Sequence, residues 1–171
     1  MILPTERDLR LTTIRRGGTL TDEHHHMLAR WAATCAEHVL PLFEGLRPDD
    51  HRPRDAIAAV RAWAEGDVTM SESRAAGGHA MAAARVLQGP ARHAAFAAGQ
   101  AGVVAHVAAH DLGAAAYAIK AVRAAAAPGR ALDAGRRECR WQRRQLPAAV
   151  RDLVLDDQRR RNDLCWSVFD C

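Results

Sequence analysis

Twenty-four of the fifty-three residues from Ala75 to Ala127 are alanine, and no other feature of the chain so narrows what it can fold into. Alanine has the best helix propensity, loses no side-chain entropy, and lets helix axes approach until longer polar side chains reach into the shared space. The stretch therefore predicts closely packed helices, with His79, Arg85, His93, His106, His110 and Lys120 interleaved among the alanines. A length of 171 residues suits one domain whose core needs neither disulfides nor metal.

The remaining segments carry their own start and stop signals. Residues 1–20 have no hydrophobic period and read as an irregular arm ending in Arg15, Arg16, Gly17 and Gly18. A first helix opens at Thr21, an N-cap followed by Asp22 and Glu23. Its stripe of Leu28, Ala32, Cys35, Val39, Leu42 and Leu46 steps by four and three, and Pro41 predicts a kink inside it. Residues 47–53 form a charged loop, and Pro53 opens a second helix bearing Ile57, Val60, Trp63 and Ala64. Thr69 and Glu72 have capping-box spacing for a third. After Gly89 and Pro90, residues 91–127 predict two helices or one bent helix, with Gly99 and Gly102 marking a bend or a tight contact. Pro128 and Gly129 stop this run; a basic helix with Leu132, Cys139, Trp141 and Leu146 follows, and Pro147 starts the last. The expected fold is all-α: a compact bundle or stacked hairpins of six to seven helices over residues 21–160, with 161–171 as a tail.

Composition excludes several classes. The longest run without charge, Ala94 to His110, is too weakly apolar to span a bilayer, and the first residues lack the apolar segment of a secretory signal. Cys35, Cys139, Cys165 and Cys171 show no C-x-x-C pair, which predicts reduced thiols in the cytoplasm, with Cys35 and Cys139 buried on helical stripes. Residues 129–161 hold ten arginines against five acids, +5 of a net charge of +4, leaving the rest near −1.

Few residues suggest chemistry. His106 and His110 stand four apart, so on one helix both imidazoles would share a face and could chelate a divalent ion, with His38, Glu37 or His79 completing the set. His24, His25 and His26 point in different directions on a helix and read as solvated surface. No nucleophile elbow, P-loop or dinucleotide fingerprint is present. The cluster Asp49, Asp50, His51, Arg52, Arg54 and Asp55 surrounds a helix start, either as a salt-bridge network tied to Glu72, Arg74 or Arg85 or as a partner-binding surface. Arg136, Arg137, Arg140, Arg143 and Arg144 around Trp141 could contact nucleic acid, but they spread around the helix, so a solvated face is favoured.

The segments LARWAATCAEHVLPLFE (28–44), DDHRPRDAIAAVRAWAEGDVTMSESRAAGGHAMAAAR (49–85), VVAHVAAHDLGAAAYAIKAV (103–122) and ECRWQRRQLPAAVRDLV (138–154) resemble the actinobacterial immunity-protein family of polymorphic toxin systems. RPRDAI, RAWAEG and WQxxxLP carry most of the likeness. The resemblance implies a cytoplasmic all-helical protein that neutralises a protein toxin by binding it, with no catalytic residues, no cofactor and no membrane. A homodimer stays open. It directs attention to Asp50, Arg52, Arg54, Asp55, Trp63, Arg74, His79 and Arg85 as the partner- or ligand-binding candidates. The alternatives are a helical metal-dependent thiol-transfer enzyme using His106, His110 and His38, and a small-molecule-binding resistance protein.

Overall fold

A computed structural model describes residues 3–171 as an all-α protein. Its helices are α1 (Asp22–Val39), α2 (Pro41–Glu44), α3 (Arg52–Glu65), α4 (Met70–Arg85), α5 (Gly89–Val103), α6 (Asp111–Ala125), α7 (Ala131–Arg144) and α8 (Ala148–Arg161). Seven of these exceed three turns, and the described residues contain no strand, only an isolated bridge between Thr13 and Leu20. No helix among them is long and apolar enough to cross a membrane.

The local signals act where they stand. Thr21 Oγ1 accepts from the His24 amide, and Thr69 and Glu72 close a reciprocal capping box. Gly66 adopts φ 90° beyond the last turn of α3, a conformation that glycine reaches without strain. Pro41 produces a break instead of a kink: α1 stops at Val39, and the proline opens the single turn of α2.

α5 and α6 form the centre, with α1 laid across both, α3 and α4 flanking α5, and α7 flanking α6. Helices enclosed on most sides cannot present one apolar stripe, so they are built of small residues. Ala94, Ala95, Ala97, Ala98 and Ala101 of α5 and Ala114, Ala115, Ala116 and Ala118 of α6 are all fully buried. A first core lies among α1 to α6 around Phe43, Ile57 and Val60. The second lies on the other side of α1 and α6, where Leu28, Trp31, Leu112 and Ile119 meet Cys139 of α7 and Val150 and Val154 of α8.

The arm and the tail are both part of this second core. Leu11 and Leu20 enter from the N-terminal side, and Cys165, Val168 and Phe169 from the C-terminal side. A disulfide joins Cys139 to Cys171. This bond corrects the expectation of four reduced thiols and removes the main ground for assigning a reducing compartment; Cys35 and Cys165 are the free thiols, and both are buried.

The two glycines of residues 91–127 mark a tight contact. A methyl group on Gly102 would lie 2.7 Å from the Cα of Gly77 in α4, and one on Gly77 would lie 2.7 Å from the carbonyl oxygen of Gly99. Ser73 Oγ donates to the Gly102 carbonyl at 2.8 Å across the same crossing. We expect Gly102→Ala to cost about 1–3 kcal/mol, because backbone must move to admit the methyl. Gly78→Ala, where a methyl meets nothing within 4 Å, is expected to raise stability by up to about 1 kcal/mol through helix propensity. Urea denaturation of the two variants checks the pair, and equal effects would show that the crossing is not tight.

Candidate functional site

The polar residues around the start of α3 are placed by the break at Pro41. Leu40 and Phe43 are buried in the first core, which fixes where the chain leaves α2. The loop that follows is then held by two guanidinium groups. Arg52 donates to both carboxylate oxygens of Asp50, at 2.8 and 2.6 Å, and holds that carboxyl below its ordinary range. Arg54 Nε donates to Glu44 Oε1 at 2.8 Å, tying α3 back to α2. These bonds stay within the loop and its two flanking helices and do not reach Glu72, Arg74 or Arg85.

Beside this ordered loop lies a shallow concavity of about 380 Å³ between residues 46–52 and the end of α4. Two aliphatic side chains stand exposed there, Leu46 at 57% and Val86 at 79%, with Ala83 and Leu87 buried beside them. Arg47, Arg52, Arg54 and Arg85 are all exposed around this end of the helix pair. An apolar centre with a charged rim on a fixed backbone is the composition of a protein-recognition surface.

The eight candidates do not form one cluster. Asp50, Arg52, Arg54, Asp55 and Arg85 lie at the end just described. Trp63 and Arg74 lie at the other end of the α3–α4 hairpin, since the 14 residues of α3 extend about 21 Å. His79 is exposed part-way along α4. Trp63 packs edge-on against His25 and His26, with ring centroids 4.8 Å away in each case. His25 is correspondingly buried and bonds the Val104 carbonyl through Nε2 at 2.8 Å, which corrects the reading of that triplet as solvated surface.

The geometry behind the proposed histidine pair is absent. α5 ends at Val103 and α6 begins at Asp111, so His106 and His110 lie in the connection between them and not on one helical face. His110 Nδ1 is engaged by Gln100 Oε1 at 2.7 Å, and burial pushes its pKa down to about 4. His38 is on the far half of α1, where its Nδ1 bonds Glu138 Oε2 at 2.9 Å and its ring stacks on Trp141 at 3.7 Å. Glu37 is held by both terminal nitrogens of Arg61 at 2.7 Å. Among the described residues no three His, Cys, Asp or Glu side chains are grouped to hold a metal ion.

The thiols offer no nucleophile either: burial raises Cys35 well above its ordinary value and Cys165 to about 11. On α7, Arg136, Arg137, Arg140 and Arg144 are exposed, but Arg143 turns inward to the carbonyl of Phe169 at 2.9 Å. His38 stacks on one face of Trp141, which removes that face from any base stacking.

Two features escaped the sequence reading. One is the buried cluster of Asp111, Asp157 and Arg161 between α6 and α8; the other is a cavity beneath the N-terminal arm. Neither has a local motif, because each is assembled from segments distant in sequence.

Compared with known proteins, the chain matches the model of the Imm-5 like putative immunity protein family over residues 18–149. No curated protein and no solved structure matches it.

Proposed function

Because the chain belongs to the Imm-5 like putative immunity protein family, we propose that it binds a protein toxin and neutralises it by occupying its surface, without chemistry of its own. The observation that carries this reading is the exposure of Leu46 and Val86 on a backbone already fixed by the Asp50–Arg52 and Glu44–Arg54 pairs. A surface that is ordered before binding loses little conformational entropy on association. The rim carries both signs of charge, Arg47, Arg52, Arg54 and Arg85 with Glu44, Asp49, Asp50 and Asp55, which favours a toxin face of mixed charge around an apolar centre. All of these residues fall inside the segment matched by the family.

The double substitution Leu46→Asp, Val86→Asp tests the assignment. Because both side chains face solvent, the melting temperature stays within a few degrees of the parent, since exposed substitutions cost about 0.5 kcal/mol or less. Binding to the toxin encoded near its gene weakens by about a hundredfold as two carboxylates enter the apolar centre. Protection of a toxin-sensitive strain is lost with it. Undiminished protection by the double variant would remove this surface from consideration. A cytoplasmic site of action further requires the protein to hold its fold with Cys139 and Cys171 reduced.

A further inference from the structure

The cavity beneath the arm measures about 950 Å³, in the range of small-molecule sites. Its floor comes from α1, from the adjoining ends of α3 and α4, and from the α5–α6 connection, and its roof comes from residues 3–16, outside the segment matched by the family. The roof is held by more than local structure. Leu11 and Leu20 are buried beneath it, and Arg10 pairs at once with Asp8 at 2.6 Å and with Asp156 of α8 at 2.8 Å.

One wall is aromatic. Trp63 forms it with the rings of His25 and His26. The Val104 carbonyl can only accept, so His25 carries its proton on Nε2, and burial opposes a second proton.

The charges around the space do not cancel. Each acid on its lining already has a guanidinium: Asp8 has Arg10, Asp22 has Arg15 at 2.6 Å, and Asp157 has Arg161. Arg7 and Arg16 also line the cavity and have no carboxylate partner among the described residues; Arg16 Nη1 donates to the His106 carbonyl at 3.1 Å. Burial, and after it the guanidinium groups of Arg74, Arg16 and Arg7, lower the pKa of the His106 imidazole. His106 Nδ1 is buried with no hydrogen-bond partner among the described residues. Two guanidinium groups without carboxylates on the lining of one cavity are a place where a bound anion would be held by charge-assisted hydrogen bonds.

We propose that this cavity binds a small planar organic anion, with its ring against Trp63 and His26 and its carboxylate or phosphate facing Arg7 and Arg16. The site is independent of the toxin-binding surface at the opposite end of the α3–α4 hairpin. Calorimetric titration of the full chain with salicylate, adenosine monophosphate, inorganic phosphate and uncharged adenosine tests the assignment. Salicylate or adenosine monophosphate binds at one site, and adenosine and inorganic phosphate bind at least about tenfold more weakly, because each lacks one of the two contacts. Arg16→Gln and Arg7→Gln each weaken the aromatic anion by about tenfold, as expected for loss of one charge-assisted hydrogen bond. Arg7 is exposed and makes no hydrogen bond or ion pair among the described residues, so Arg7→Gln keeps the melting temperature of the parent and weakens binding all the same, whereas Arg16 also holds the His106 carbonyl and Arg16→Gln lowers both; in nuclear magnetic resonance spectra the Trp63 indole shifts on titration of the parent. The Leu46→Asp, Val86→Asp variant binds the anion unchanged, which separates failure of this site from failure of the toxin surface. Absence of binding by both aromatic anions, equal binding of adenosine, or indifference to Arg7→Gln and Arg16→Gln would overturn the proposal.

Discussion

Replacing Arg161 with methionine is expected to lower the unfolding free energy by about 3–5 kcal/mol, because it strands carboxylates inside the protein. Arg161 Nε donates to Asp157 Oδ1 at 2.7 Å and Nη2 pairs with Asp157 Oδ2, while Asp111 lies 3.7 Å away. All three residues are at most 4% exposed. One guanidinium cannot neutralise two carboxylates, and Asp111, whose Oδ2 has no hydrogen-bond partner among the described residues, is the one left over. Burial and the neighbouring Asp157 accordingly raise its pKa from 3.8 to about 7. For a chain of this length the substitution corresponds to a fall in melting temperature of roughly 10 °C. The cluster also has a pH signature. Between about 4 and 7 the folded state retains a proton on Asp111 that the unfolded chain has released, so this contribution to stability is complete below that window and is lost as pH rises through 7. Asp111→Asn keeps an acceptor for the Leu112 amide but has no proton to lose. The stability of the parent relative to Asp111→Asn therefore falls between about pH 4 and pH 7. A difference that stays flat across that range would mean that both acids are ionised in the folded state.

The same cluster explains why part of the fold was legible in the sequence and part was not. Alanine-rich helices, the stops at Pro41, Gly66, Pro128 and Gly129, and the caps at Thr21 and Thr69 all act through neighbours a few residues away, and each is visible as a pattern. The break between α5 and α6 has no such signal, since residues 103–110 contain neither proline nor glycine. Side chains from elsewhere carry it. The carbonyl of Val104 takes His25, that of His106 takes Arg16, and that of Ala109 takes Arg161, at sequence separations of 79, 90 and 52. An unbroken helix would have satisfied these carbonyls locally, so the four-residue spacing of His106 and His110 suggested a shared face that does not form. The candidate surface was legible for a similar reason and to a similar degree. Asp50, Arg52 and Arg54 are adjacent in the chain and in space, whereas Trp63 and Arg74 share only a hairpin with them, and the length of that hairpin separates them. Leu46 fell on an amphipathic stripe and was expected inside; Pro41 ends the helix before it, and the residue emerges into solvent instead.

Cysteine spacing was silent for another reason, because a bond between residues 32 apart depends on where the tail returns, and this leads to the second large effect. Closing a loop of that length removes chain entropy from the unfolded state worth about 3–4 kcal/mol. We expect Cys171→Ser, or reduction of the parent, to lower stability by about 2–4 kcal/mol, read as a fall in the urea midpoint at constant slope. The folded tail itself should remain in place. Val168 and Phe169 are buried, Arg143 holds the Phe169 carbonyl at 2.9 Å, and Trp166 lies under Lys120 at 3.8 Å and edge-on to Tyr117. Reductant should thus shift the parent to the midpoint of Cys171→Ser and leave that variant unmoved. Identical midpoints for the parent with and without reductant would show that the bond contributes nothing in solution. Because ordinary domains have about 5–15 kcal/mol in reserve, a loss of this size leaves the helices folded, and the surface around Leu46 and Val86 can work with the thiols reduced as well as joined.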